Sequence, residues 1–187
     1  VESEYDPHIE AIAQVAIYQP RQALDFVEYH IREGTEIGAL AQILRAIAFN
    51  YDYLDEVCAA LWELGKDDEK KDGFRFENPI GVLEQLCGFQ ENKPLEFCER
   101  VFDFAMKLST DPTQWRFKRK PLEIMLPILS TEGMSTTSNS RSVTLKPFLI
   151  SYDTVKPLRD RLISHILDLL EDEDLGVARI AANAMDA

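Results

Sequence analysis

The sequence predicts an all-α fold: an α-solenoid of antiparallel helix pairs, with a β-hairpin insertion near 132–153. Three observations predict it. Apolar residues recur at helical spacing in nine successive segments. Most of those segments are separated by short turns led by proline, which is favoured at the first helical position. Only 8 of the 187 residues are Gly, which suits long helices better than many tight turns. An amphipathic helix cannot bury its apolar face alone. Antiparallel pairs stacked on their neighbours can, as in helical-repeat arrays.

Each element has its own signal. Asp6-Pro7 is an N-cap followed by proline, and a helix should run from there to about Tyr18. Gln19-Pro20 opens a second, with Leu24, Val27 and Ile31 on one side and Gly34 as its stop. The third carries Ile37, Leu40, Ala41, Leu44, Ile47 and Ala48. In the fourth, Leu54, Val57, Cys58 and Leu61 share a face, and Gly65 ends it. A charged loop, KDDEKKDGFRFE (66–77), follows. Asn78-Pro79 opens a fifth helix with Leu83, Leu86 and Cys87. Pro94 opens a sixth with Leu95, Cys98, Val101, Ala105 and Leu108. Pro121 starts a seventh with Leu122, Met125, Leu126 and Leu129, and Pro127 should kink it by removing a backbone bond. The eighth carries Val155, Leu158, Leu162, Ile166 and Leu169. The ninth carries Leu175, Val177, Ile180, Ala181, Ala184 and Met185.

Between the seventh and eighth helices the pattern changes. RSVTLKPFLI (141–150) alternates with period two, placing Val143, Leu145 and Leu149 on one side of an extended chain. Ser138-Asn139-Ser140 is a turn candidate, and Met134 to Thr137 completes a hairpin. Pro147 cannot donate to a ladder, so it belongs at an edge or beyond the paired part. A lone hairpin is marginal in water. It therefore either caps the helices or projects as a docking element, with Arg141 and Lys146 pointing outward.

A net charge of −13 argues against a general nucleic-acid or anionic-membrane binder, since phosphate needs a positive field. No run of 18 apolar residues marks a transmembrane span, and no signal peptide opens the chain. Cys58, Cys87 and Cys98 are odd in number and lack CxxC spacing, so they read as reduced core thiols of a cytoplasmic protein. The first residue is Val1 and the last helical pattern still runs at Ala187, so one domain over 1–187 is expected, as a piece of a longer protein.

No catalytic, metal or cofactor motif is present, and the expectation is no enzyme and no cofactor. His8, His30 and His165 stand apart in sequence from any Ser, Cys or carboxylate pair in a recognisable spacing. Gly65-Lys66-Asp67 lacks the earlier Gly and the following Ser/Thr of a phosphate-binding loop. Glu171 to Asp174 lacks calcium-loop spacing and reads as a turn and an N-cap. One run opposes the overall charge: QWRFKRKP (114–121) interleaves Trp115 and Phe117 with Arg116, Lys118, Arg119 and Lys120. Aromatics among cations suit single-stranded nucleic acid. In a chain of this charge the run reads first as a solvated loop whose cations face acidic neighbours, then as a surface for a protein, and last as a nucleic-acid site.

DEDLGVARIAANAM (172–185) resembles the second-helix signature of HEAT repeats, with an acidic turn, Val, Arg and an Ala-rich face. It departs in placing Ala178 after Val177, with Arg179 one position later. The segments 40–68, 77–108 and 121–167 resemble the helical-repeat region of large prokaryotic multidomain ATPases of the STAND type. That resemblance implies an ATPase core elsewhere and a helical array used for sensing or scaffolding. The resulting expectation is a helical scaffold or sensor that binds protein or other domains of its own chain. Trp115, Arg116, Lys118, Arg119, Lys120, Arg141 and Lys146 are its candidate contact residues. A nucleic-acid platform using 114–121 is the alternative.

Overall fold

A computed structural model describes residues 7–33, 37–67, 78–88, 94–129, 132–136, 143–147 and 152–185. The fold is all-α in class. The chain divides into two compact units, Val1–Leu83 and Glu84–Ala187.

The first unit holds α1 (Pro7–Ala16), α2 (Pro20–Glu33), α3 (Ile37–Ala48), a 3₁₀ turn (Tyr51–Tyr53) and α4 (Leu54–Gly65). Helix α3 packs against α1, α2 and α4. Its apolar positions Leu40, Ala41, Leu44, Ile47 and Ala48 are all buried. They meet a core that includes Leu24 and Val27 from α2 and Leu54, Val57, Cys58 and Leu61 from α4. Asn50 caps the 3₁₀ turn by accepting from the Asp52 N–H at 3.2 Å. The periodic faces read from the sequence are thus buried at these positions, while Ile31 is half-buried and the Ile37 side chain lies outside the described residues. Asp6, Gly34 and 68–77 lie outside the described residues.

Helix α4 ends at Gly65, as read, and the glycine has a second role. A Cβ there would stand 2.9 Å from Ile80 Cγ1 and 3.1 Å from Pro79 Cβ. The residue is small because the start of α5 (Pro79–Cys87) packs against it. The Lys66 N–H bonds back to the Trp62 carbonyl at 2.8 Å and closes the last turn of α4. Asn78 Oδ1 accepts from the Ile80 N–H at 2.9 Å, capping α5 and supplying one of the partners a helix start lacks.

The second unit holds α6 (Leu95–Thr110), a 3₁₀ segment (Pro112–Phe117), α7 (Arg119–Met125), a further 3₁₀ turn (Leu126–Leu129), α8 (Tyr152–Leu169) and α9 (Leu175–Met185). Helix α6 pairs with α7, α8 with α9, and α7 also meets α9. The core joins Phe97, Cys98, Val101, Phe102 and Ala105 of α6 to Leu162 and Ile166 of α8 and Val177 and Ala181 of α9. Helix α7 is shorter than expected. It gives way to 3₁₀ geometry at Leu126, one residue before Pro127, whose missing N–H cannot continue the ladder.

Two expected core residues are corrected. Leu175 is 84% exposed and Met185 is 48% exposed. The buried arc of α9 is set by Val177, Ala181 and Ala184, and neither end residue falls on it.

Residues Glu132–Thr136 (β1) and Val143–Pro147 (β2) pair antiparallel, with Thr136 opposite Val143 and Glu132 opposite Pro147. Pro147 therefore closes the end of the ladder, where a missing donor costs least. The side chains of both strands, and residues 137–142 and 148–151, lie outside the described residues.

Candidate interaction surface

The basic run is not a plain loop. Trp115, Arg116 and Phe117 close the 3₁₀ segment, and Arg119 and Lys120 open α7. Asp111 builds this corner. Its carboxylate accepts first from the Thr113 hydroxyl at 2.7 Å and then from the Thr113 N–H at 2.8 Å, which together hold it below the usual carboxylate range. Pro112 then supplies a fixed φ at the first helical position.

The cations are engaged to different degrees. Lys118 Nζ donates to Asp172 Oδ2 at 2.7 Å, with both side chains largely sheltered. The Arg116 guanidinium stands exposed, 5.3 Å from the centre of the Phe117 ring. Arg119 is exposed as a residue, and its Cδ and Nη1 lie 3.5 Å and 3.8 Å from the point where a Cβ on Gly176 would stand. Lys120 is half-buried. The Trp115 side chain and Arg141 lie outside the described residues. Lys146 sits opposite Gly133 in the strand pair. Five of the seven candidate contact residues thus share one backbone corner because they are adjacent in sequence. Arg141 and Lys146 are not brought to it by any described contact.

Two carboxylates of the acidic run on the other side of the pair are structural. Asp172 accepts from Lys118 and from the Asp174 N–H at 2.9 Å; the Lys118 bond comes first in holding its carboxyl below the ordinary value. Asp174 Oδ1 accepts from the Gly176 N–H at 2.7 Å and so caps α9. A turn and a cap account for both carboxylates.

Sequence spacing gave no sign of a contact between α6 and α8. Ser109 Oγ and His165 Nε2 lie 2.5 Å apart across 56 residues of chain. Burial lowers the His165 imidazole from its ordinary value of 6.5, and Asp168 one turn on partly offsets this. A hydroxyl beside an imidazole is half of a nucleophile–base pair. Ser109, however, is buried in the helix contact, where a substrate would have to displace core. The pair ties two helices together. Arg161 reinforces the same contact, with Nη2 2.7 Å from Asp103 and its guanidinium 4.9 Å from the centre of the Phe102 ring. Arg159, buried, donates from Nε to the Ile128 carbonyl at 3.0 Å. The signal that could have found these groups is the polar residues set among the apolar periodicity of α8.

Several large apolar side chains are exposed among the described residues, and two groups of them lie together on one helix or helix pair. In the first unit a groove of about 420 Å³ runs between α1 and α2, lined by Ile12, Val15, Ala16, Ala23 and Phe26, with Gln19 and Gln22 at its polar edge. Val15 and Phe26 are exposed there. In the second unit Ile163, Leu167 and Leu170 are exposed on α8 and the turn after it. No described helix is long and apolar enough to cross a membrane. Comparison with family models, with curated proteins and with solved structures finds no match to this chain.

Proposed function

We propose that the chain is a non-enzymatic helical-repeat scaffold or sensor module, an α-solenoid of antiparallel pairs, acting through contacts with protein or with other domains. The observation that carries this reading is the exposed apolar surface at the α1–α2 groove and on α8, a helix that already buries a full face. Uncovered patches of this kind mark interaction sites. Pairing within α6–α7 and α8–α9, joined by α7 against α9, is what stacked repeats require. The resemblance of 40–68, 77–108 and 121–167 to the repeat region of STAND-type ATPases supports the same role, with the module serving an ATPase core. The open edges of the strand pair 132–136 and 143–147 offer a further docking element.

Site-specific photo-crosslinkers at Val15 and Leu167 in the full-length protein test this reading, with Glu63 as an exposed polar control. Cross-links to another protein or domain from the apolar positions, and none from Glu63, are expected. Equal yields from all three positions would remove the support. Nucleic-acid binding through 114–121 would need the cations of that run. Lys118 is already held by Asp172, which favours the scaffold reading.

A further inference from the structure

Helix α8 has two apolar faces. Val155, Leu158, Leu162, Ile166 and Leu169 are buried in the second unit. Ile163, Leu167 and Leu170, at i, i+4 and i+7, form a second stripe that is exposed, Leu167 at 48%. Away from the buried face, the polar residues of α8 run Asp160, Ser164 and Asp168, and the helix leads into Glu171–Asp174. Three of these acids are engaged: Asp160 by Lys156, Asp172 by Lys118, and Asp174 as the cap of α9. Asp168, Glu171 and Glu173 are exposed and make no ion pair among the described residues. An apolar stripe beside uncompensated carboxylates has a chemical complement. We infer that α8 docks a cationic amphipathic helix, with its apolar side on Ile163, Leu167 and Leu170 and its Lys or Arg residues over Asp168, Glu171 and Glu173.

A second copy of the chain is the wrong occupant. It would set like carboxylates against each other in a protein of net charge −13, which costs free energy. A cationic helix removes that repulsion and buries the stripe, the groove-binding mode of amphipathic peptides. The aliphatic contacts would carry affinity, while the acidic rim would set association rate and salt dependence. This assignment rests on the scaffold reading above and names one partner class for it.

The test uses the 187-residue chain and three labelled synthetic helices of roughly 18 residues, long enough to hold helical structure when docked. One has Leu on one face and Lys on the other. The second is its scrambled isomer, and the third has Glu in place of Lys. Fluorescence anisotropy should show that the Leu/Lys helix alone binds, more weakly as salt rises. Leu167→Ser, at an exposed position, should leave the melting midpoint in place and lower affinity about tenfold. Asp168→Lys with Glu171→Lys should weaken the Leu/Lys helix and admit the Leu/Glu helix.

Equal binding of the scrambled isomer would reduce the effect to bulk charge and overturn the assignment. So would indifference to Leu167→Ser, no binding at all, or a sedimenting dimer that Leu167→Ser disperses. Failure here with cross-links retained at Val15 removes the α8 surface and leaves the scaffold reading standing. Loss of cross-links everywhere removes that reading itself.

Discussion

Lys118 Nζ lies 2.7 Å from Asp172 Oδ2, joining the basic run of the chain to its acidic run across 54 residues. The two runs that look most functional in the sequence therefore meet each other. Lys118 is adjacent to α7, and Asp172 sits in the turn before α9, so the pair fixes the corner where these helices meet.

A double-mutant cycle measures that link. Lys118→Ala and Asp172→Asn should each destabilise the protein, and their coupling in urea melts should be about 0.5–1 kcal/mol, the upper range for exposed pairs because both groups are largely sheltered. Asp172→Ala should cost more than Lys118→Ala, since Asp172 also accepts from the Asp174 N–H. Additive effects of the two substitutions would mean that the pair is solvated and idle.

Two pH windows follow from the shifted groups. The folded His165 imidazole titrates below its ordinary 6.5, mainly because it is buried. Its contribution is therefore fully present above 6.5 and is lost as pH falls through the lower folded value. Asp172 is held below the ordinary 3.8, first by Lys118, so its contribution is present above 3.8 and lost as pH falls through its own lower value. The urea midpoint of the wild type should begin to decline near pH 6.5, and His165→Gln should flatten that upper limb. Lys118→Ala should flatten only the acidic limb. Parallel profiles for wild type and His165→Gln would contradict the assignment of the upper limb.

Core and surface leucines should separate cleanly. Leu44 is fully buried on α3, and Leu44→Ala should cost about 2–5 kcal/mol, the lost transfer energy plus a cavity. Leu175 is 84% exposed, and Leu175→Ala should stay within about 0.5 kcal/mol. Thermal melts of the two variants decide. Similar midpoints would mean that the periodic face of α3 is not core.

Helix faces were legible because burial repeats every 3.6 residues: Leu40, Ala41, Leu44, Ile47 and Ala48 of α3 and the set on α8 are buried as read. The caps at Asn78 and Asp174 were legible too, because an acceptor side chain before a helix start has a local purpose. What the sequence hid was long-range or end-dependent. Ser109 meets His165, and Lys118 meets Asp172, only after folding brings α6, α7, α8 and the turn before α9 together. Leu175 continues the apolar composition of α9 but lies outside its buried arc. Packing groups residues 1–83 and 84–187 as two compact units. Periodicity reports each helix face but not which helices share a core. Arg141 lies outside the described residues, as do the side chains of Trp115 and Lys146.

Gly65→Ala sets two effects against each other. Alanine gains about 1 kcal/mol of helix propensity over glycine. The new Cβ would approach Ile80 Cγ1 to 2.9 Å and Pro79 Cβ to 3.1 Å, and Ile80 is buried with little room to retreat. Overpacking of this kind costs about 1–3 kcal/mol, so the net should be destabilising. Ile80→Val does not relieve the Cγ1 contact, but Ile80→Ala does. Gly65→Ala should therefore cost less in an Ile80→Ala background than alone. A stabilised single variant would show that the start of α5 yields.

The basic corner at 114–121 gives the last expectation. Trp115 and Phe117 supply the aromatic character of a single-strand binder, and Arg116 and Arg119 present exposed cations. Binding nucleic acid would place phosphates close to Asp172 and Glu171 in a chain of net charge −13. It would also ask Lys118 to exchange a 2.7 Å carboxylate for a phosphate, with little net gain. Bulk repulsion is screened at about 150 mM salt, but the local carboxylates, within a Debye length, are not. No submicromolar binding to single- or double-stranded DNA or RNA is expected at that salt by fluorescence anisotropy. Asp172→Asn releases Lys118 and should raise whatever weak binding exists. Lys118→Glu with Arg119→Glu should abolish it. Tight binding by the wild type that weakens steeply with salt and vanishes in that double variant would make the corner a nucleic-acid site after all.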